Sequence, residues 1–260
     1  MDLQNKVAIV TAASRGIGLE ITHELVREGA TVYMAVRPSE KNKKLVAELT
    51  ATNPQYQGIF YDAFDTTSYK PMIDEVYQKA GRIDILVNNF GTTDTTKDLT
   101  LTTGDSEAFF EILNTNIASV YYSCKEVIPY MQENNGGSII NISSIGGMTP
   151  DVARIAYTTS KAAINSMTKN IATQYARQNI RCNAILPGFV ATDATKDNLP
   201  KEFMDIFLKH VPLNRVAVAK DIAYATAFLA SEKSSYITGE LLPIAGGFGM
   251  PTPIFGDLMQ

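Results

Sequence analysis

Apolar residues in this chain fall into short unbroken runs, separated by longer stretches in which they recur every three or four positions. The runs Lys6–Thr11 (KVAIVT), Thr31–Val36 (TVYMAV), Gln57–Tyr61, Asp84–Val87 (DILV), Ser138–Ile142 (SIINI), Ile180–Leu186 and Leu241–Pro243 predict seven strands. A strand covered on both faces reads as a continuous apolar run, because both of its side-chain rows are buried. Between them, Gly18–Glu28, Lys41–Ala51, Tyr69–Ala80, Ser106–Asn134 and a stretch through Tyr157 to about Gln178 carry helical spacing. Gly29 and Gly81 stand where helix stops belong. Strand and helix alternating along the whole length predict an α/β fold with a parallel sheet covered on both faces. No linker, repeat or low-complexity tract interrupts the pattern, so residues 1–260 are expected to form a single domain.

Composition sharpens this only by exclusion. Of the 260 residues, 45% are hydrophobic and 19% charged, as in ordinary globular proteins. The net charge of −4 offers no basic face for nucleic acid. No apolar run approaches the ~18–20 residues that span a bilayer, and the acidic start reaching quickly into a glycine turn is not a secretory signal. Cys124 and Cys182 lie in apolar surroundings and are expected as buried thiols, with no Cys/His spacing for a metal. Together these features suggest a cytoplasmic enzyme.

Two places carry candidate chemistry. In SSIGGMTPDVARIAYTTSK, Tyr157 precedes Lys161 by four residues, and Ser144 precedes Tyr157 by thirteen. Side chains at i and i+4 share a helix face, and a nearby cation lowers the pKa of a phenol, which ordinarily ionises near ~10. That would make Tyr157 an acid–base group at working pH. The same spacing also suits a solvated helix face, and Ser143 competes with Ser144. The second place is Thr11-Ala12-Ala13-Ser14-Arg15-Gly16-Ile17-Gly18, between the first strand and a helix. Glycines there let backbone approach a phosphate, and a helix N-terminus attracts its charge. The second strand ends at Val36-Arg37 without the carboxylate that holds an NAD ribose. Arg37 and Arg15 suit a 2′-phosphate, which favours NADP; a surface charge after a strand is the plainer account of Arg37.

In combination these motifs resemble the short-chain dehydrogenase/reductase family over nearly the whole chain. Its TGxxxGIG loop appears as TAASRGIG, with Ala12 for the first glycine, and its NNAG as Asn88-Asn89-Phe90-Gly91. The resemblance implies a doubly wound, seven-stranded Rossmann sheet. It implies a catalytic set of Asn116, Ser144, Tyr157 and Lys161. Tyr157 would move the hydroxyl proton, Ser144 hold the substrate oxygen, and Lys161 lower the tyrosine pKa and grip the nicotinamide ribose. Asn116 would hold a water linking Lys161 to solvent. NADP(H) would lie along Ala12, Ser14, Arg15, Gly16, Ile17, Gly18, Arg37, Asp62, Ala63, Asn89 and Gly91. It would continue past Tyr157 and Lys161 to Pro187, Gly188, Val190 and Thr192. Metal has no part in this chemistry.

Within the family, GRIDILVNNFGTTD, PDVARIAY, QYARQNIRCNAILPG, HVPLNRV and AGGFGMPTP resemble bacterial bile-acid hydroxysteroid dehydrogenases, especially the 7α type. A steroid substrate is therefore expected. A hydroxysteroid enzyme of position 12α or 3, a 3-oxoacyl-carrier-protein reductase, and an NADP-binding sensor without turnover are the alternatives. Apolar residues across 189–211, among them Phe189, Val190, Leu199, Phe203, Met204, Phe207 and Val211, suit a lid over a flat apolar ligand or an ordinary amphipathic helix. The tail 248–260, with Met250, Pro251, Pro253 and Ile254, suits the same pocket or a subunit contact. Small residues Ala156, Ser160 and Ala163, with Ile164, mark a helix that joins subunits in the resembled family, which implies a homotetramer.

Overall fold

The computed structural model describes residues 1–191 and 201–250, with the side chains of Lys201 and Phe203 outside the description. Its main sheet has seven strands, all parallel, in the order β3-β2-β1-β4-β5-β6-β9. These are β1 (Val7–Thr11), β2 (Thr31–Val36), β3 (Tyr56–Phe60), β4 (Ile85–Asn88), β5 (Gly137–Ile142), β6 (Ile180–Pro187) and β9 (Leu241–Ile244). Every apolar run therefore forms the strand expected of it, with no end displaced by more than one residue. The chain winds outward from β1 to β3, then crosses back to β4 beside β1. The crossover leaves a crevice at the carboxyl ends of β1 and β4, where ligands bind in open α/β sheets.

The continuous runs are explained by two cores. Successive side chains of a strand point to opposite faces. Ala8, Val10, Val32, Met34, Ile85, Val87, Ile140 and Ile142 enter one core, with helices α1 (Gly16–Arg27), α2 (Glu40–Thr52) and α7 (Ala219–Ala230). Val7, Ile9, Tyr33, Ala35, Leu86 and Ile139 enter the other, with α3 (Tyr69–Ala80), α4 (Ser106–Glu133) and α5 (Ile155–Tyr175). Gly81 ends α3 in the left-handed region at φ 71°, a conformation glycine adopts without cost. Cys124 and Cys182 are buried and free, and burial pushes the Cys124 thiol up to about 12. No helix among the described residues is long and apolar enough to cross a membrane.

Two features were not legible in the pattern. β7 (Val190–Ala191) pairs with β8 (Ala217–Val218) in a small separate sheet. It tethers the start of the 189–211 segment, whose helix α6 spans Lys201–Lys209. The small residues of α5 also face inward. Ala156, Ser160 and Ile164 are buried within this chain, because the i, i+4 stripe they form packs against α4 and the sheet. Only Ala163 of that group is partly open, so those residues do not form the subunit-joining face expected of them.

At the amino ends of the central strands β1 and β4, the buried carboxylate of Asp84 accepts from the Val7 backbone N–H at 2.9 Å and from Arg82 at 2.6 and 2.8 Å. Asp84→Ala leaves the Val7 donor without its partner, so it should destabilise the fold by about 1–3 kcal/mol. Urea denaturation should show this as a lower midpoint at unchanged slope.

Candidate active site

The crevice is built first by backbone. β1 runs into a loop in which Ala12 and Gly16 are both left-handed, at φ 52° and 54°. Arg15 is exposed and extended at the N-cap of α1, whose first turn holds no acidic residue. A methyl group on Gly18 would lie 2.5 Å from both Ala12 O and Asn89 Nδ2. Only glycine allows that approach of helix, loop and β4 end. Thr11 Oγ1 accepts from the backbone N–H of Asn89 and Phe90 at 2.8 and 3.1 Å, while Asn89 Nδ2 donates to Thr11 O and Ala12 O at 3.1 and 3.3 Å. Ser14 and Ile17 sit half-buried on the same loop. The donors of an unblocked helix N-terminus and a tight glycine cradle fit the pyrophosphate of a nicotinamide dinucleotide.

Farther out, Arg37 is exposed after β2, its guanidinium 5.5 Å from the Phe64 ring centroid. Phe64 meets Phe90 edge-on at 5.6 Å. Phe90, the bulky residue in place of the family's alanine, thus joins an aromatic corner with Arg37. Phe64 had no sequence signal, since it lies in a polar turn. Asp62 Oδ1 accepts from Phe64 N at 3.1 Å, and Ala63 O from the Tyr69 hydroxyl at 3.0 Å, which shape that turn.

The proton-handling end lies across β4, β5 and β6. A cleft of about 480 Å³ is bordered by Ser144, Tyr157 and Lys161 on one side and by Phe189, Phe207 and Phe248 on another. Asn89, Gly91, Pro187, Gly188 and Val190 also line it. Lys161 is buried and donates from Nζ to Ile142 O at 3.0 Å. Its Nζ lies 5.5 Å from the Tyr157 ring centroid, and a methyl group on Gly91 would lie 3.0 Å from it. Ser143 donates its hydroxyl to the Lys161 carbonyl at 3.2 Å. Ser144 Oγ instead accepts from Gly146 N at 3.1 Å and faces the Tyr157 phenol. Of the two serines, Ser143 thus turns to the helix backbone and Ser144 to the phenol.

Asn116 is wholly enclosed. Its amide donates to Thr92 O at 2.9 Å and to Ser160 Oγ at 3.0 Å, and accepts from Thr92 N at 2.8 Å. Ser160 donates in turn to the Tyr157 carbonyl at 2.7 Å. A second side chain without a sequence signal is Asp98. Its buried carboxylate accepts from the backbone N–H groups of Ala156 and Tyr157 at 2.8 and 3.0 Å. It caps the helix that carries Tyr157 from a loop far away in sequence, where no local capping pattern reveals it.

The electrostatics differ from the simple cation argument. Burial pushes the Tyr157 phenol above its ordinary value; Ser144 and the Arg154 guanidinium pull it partly back. Burial also lowers the Lys161 ammonium to about 8. Lys161 is itself desolvated, and its Nζ, 5.5 Å from the Tyr157 ring centroid, donates to Ile142 O.

Phe189 and Phe207 meet at 5.8 Å, and Phe207 and Phe248 at 5.2 Å. Phe189 and Phe207 of the 189–211 segment and Phe248 at the start of the C-terminal tail therefore line one cleft. Thr192, Leu199, Pro251, Pro253 and Ile254 lie outside the described residues, as does the Phe203 side chain. Met250 borders a neighbouring cavity with Phe189, Phe207 and Tyr224.

A family model described as Enoyl-(Acyl carrier protein) reductase matches residues 11–249. The chain is 48% identical over 255 residues to a 7alpha-hydroxysteroid dehydrogenase of Clostridium sardiniense, covering 98% of this chain and 97% of the relative. It is 36% identical over 247 residues to a 3-oxoacyl-(acyl-carrier-protein) reductase of Thermotoga maritima, covering 95% and 99%. The crystal structure of gox2181 aligns with a TM-score of 0.89 at 28% identity, covering 95% of this chain and 96% of that one.

Ala12 holds a left-handed conformation that costs an L-residue roughly 1–2 kcal/mol. Ala12→Gly removes that strain and adds unfolded-state entropy of about 0.4–1 kcal/mol. The net expectation is a modest gain in thermal midpoint, measured by calorimetry without cofactor.

Proposed function

The chain belongs to the short-chain dehydrogenase/reductase family, and we propose that it is an NADP-dependent hydroxysteroid dehydrogenase acting on the 7α-hydroxyl of bile acids. It is an oxidoreductase of a family that uses a nicotinamide cofactor. The observation that carries the finer reading is the single cleft in which Ser144, Tyr157 and Lys161 face the aromatic wall of Phe189, Phe207 and Phe248. A flat apolar ring system needs such a wall, and a secondary alcohol needs such a proton acceptor. The 48% identity to a 7alpha-hydroxysteroid dehydrogenase, against 36% to a carrier-protein reductase, supports the same substrate class.

The bound nicotinamide would accept or give the hydride. Everything else falls to this chain's residues. Ser144 Oγ orients the substrate oxygen beside Tyr157. In the oxidation direction the Tyr157 phenolate takes the hydroxyl proton; in reduction the phenol returns it. Lys161, fixed to the end of β5, holds the ribose. Asn116 keeps the Gly91–Thr92 turn over Lys161 and, through Ser160, the first turn of α5 in register. The Ala12–Gly18 loop and Asn89 would cradle the pyrophosphate, Asp62 and Ala63 would hold the adenine end, and Pro187, Gly188 and Val190 the nicotinamide end, where the resemblance also assigns Thr192. Arg37 and Arg15, exposed at the outer end with no carboxylate after β2, pair with a 2′-phosphate. Exposed Phe110 and Tyr121 on α4, with Tyr224 and Phe228 on α7, offer apolar area for a homotetramer.

Incubation with bile acids hydroxylated at position 7α, 12α or 3, and with an acetoacetyl thioester, tests the substrate by reduced-cofactor absorbance. Turnover confined to the 7α compound is expected; turnover of the thioester alone overturns the reading. Tyr157→Phe should lower kcat by about 10²–10⁴-fold with cofactor affinity retained. Arg37→Ala should cost roughly 10–10²-fold in kcat/KM for NADP, the size of a lost charge-assisted hydrogen bond, and leave NAD almost unaffected.

A further inference from the structure

We propose that Arg154 is a second cation of the acid–base centre and that, with its partner Asp151, it sets the pH at which Tyr157 releases its proton. The proposal rests on the reading of Tyr157 as the proton-transfer group.

Arg154 stands at the N-cap of α5 with φ 60° and ψ 45°, a left-handed backbone that disfavours every side chain but glycine. Strain of this kind persists only where the surroundings enforce it. Here the Arg154 N–H donates to Asp98 O at 3.1 Å, and its carbonyl accepts from the Thr158 N–H and hydroxyl at 3.0 and 3.1 Å. The result places the guanidinium over Tyr157, with Cζ 5.6 Å from the ring centroid. Arg154 and Asp151 both border the cleft and form an ion pair with each other.

The charged groups around Tyr157 can be taken element by element. On α5 itself stands Lys161, its Nζ 5.5 Å from the ring centroid. From the β4–α4 loop comes Asp98, whose carboxylate accepts the Tyr157 N–H at 3.0 Å. The turn after β5 supplies only the neutral Ser144. The segment before α5 supplies Arg154 and its counter-ion Asp151. Of the two cations, Lys161 is buried, with its ammonium lowered to about 8. A guanidinium keeps its charge at every working pH. Its Cζ lies 5.6 Å from the ring centroid, and after the Ser144 hydroxyl it is the group that draws the Tyr157 phenol downward. Asp151 moderates it by sharing its charge.

The test compares Arg154→Gln, Arg154→Lys, Arg154→Gly and Asp151→Asn with the unaltered protein. Phenolate absorbance is titrated against pH as the difference from the same protein carrying Tyr157→Phe. In parallel, the pH profile of kcat/KM is recorded for oxidation of a 7α-hydroxy bile acid with NADP. Loss of the cation should move the Tyr157 midpoint and the acidic limb upward by about 0.5–1 pH unit, from Coulomb attraction across a partly solvated site. Arg154→Lys should stay near the unaltered protein, and Asp151→Asn should move both downward. Arg154→Gly relieves the strained backbone and must shift as Arg154→Gln does. Superimposable titrations for Arg154→Gln and the unaltered protein overturn the proposal. So does a shift with Gln that Gly lacks, or a shift of Asp151→Asn in the same direction as Arg154→Gln. The absorbance titration needs no substrate. A shifted titration without bile-acid turnover sinks the hydroxysteroid reading alone, and normal turnover with no shift sinks the role of Arg154 alone.

Discussion

One hydrogen bond holds the chemical end of this molecule together: Lys161 Nζ to the carbonyl of Ile142, at 3.0 Å. It joins the second turn of helix α5 to the last residue of β5. Ser144 follows two residues beyond that carbonyl, and Tyr157 lies one turn before the lysine. Fixing the one contact therefore fixes the distance between a strand-borne hydroxyl and a helix-borne phenol. The neighbouring bond from Ser143 to the Lys161 carbonyl, at 3.2 Å, keeps the same helix from sliding along the strand. A buried ammonium is costly unless such partners are present, and its depressed ionisation shows that the cost is only partly offset.

Around that contact the site is a contest between burial and charge. Enclosure opposes the ionisation of both Tyr157 and Lys161. The residues that hold α5 in place are brought together in space rather than in sequence. Asp98 reaches α5 from the far side of β4, and Asn116 reaches it from α4 through Ser160. The helix thus has two of its N-terminal donors satisfied by one distant residue and the Tyr157 carbonyl engaged through another, which leaves the tyrosine ring few alternatives to the position it holds.

The strands were readable because burial on both faces leaves no polar alternation, and every run formed its strand. The Tyr157–Lys161 pair was readable because helical spacing is a local property. Ser144 against Ser143 was not, since two adjacent hydroxyls differ only in where the backbone aims them. Asp98, Phe64 and the β7–β8 pair were not readable either; each depends on contacts between segments distant in the chain. The inward orientation of Ala156, Ser160 and Ile164 shows the same limit. Small residues at helical spacing signal a close approach, but not to which neighbour.

Three phenylalanines, 189, 207 and 248, form the apolar wall opposite the proton-handling residues. None of them stands on β5, α4 or α5, which carry the reacting groups. The wall and the chemistry hang on separate scaffolding. Mutation can thus reshape what the cleft admits, ring by ring, while the geometry of proton transfer stays as it was. A scaffold divided in this way lets one reaction be redirected to new molecules without being rebuilt.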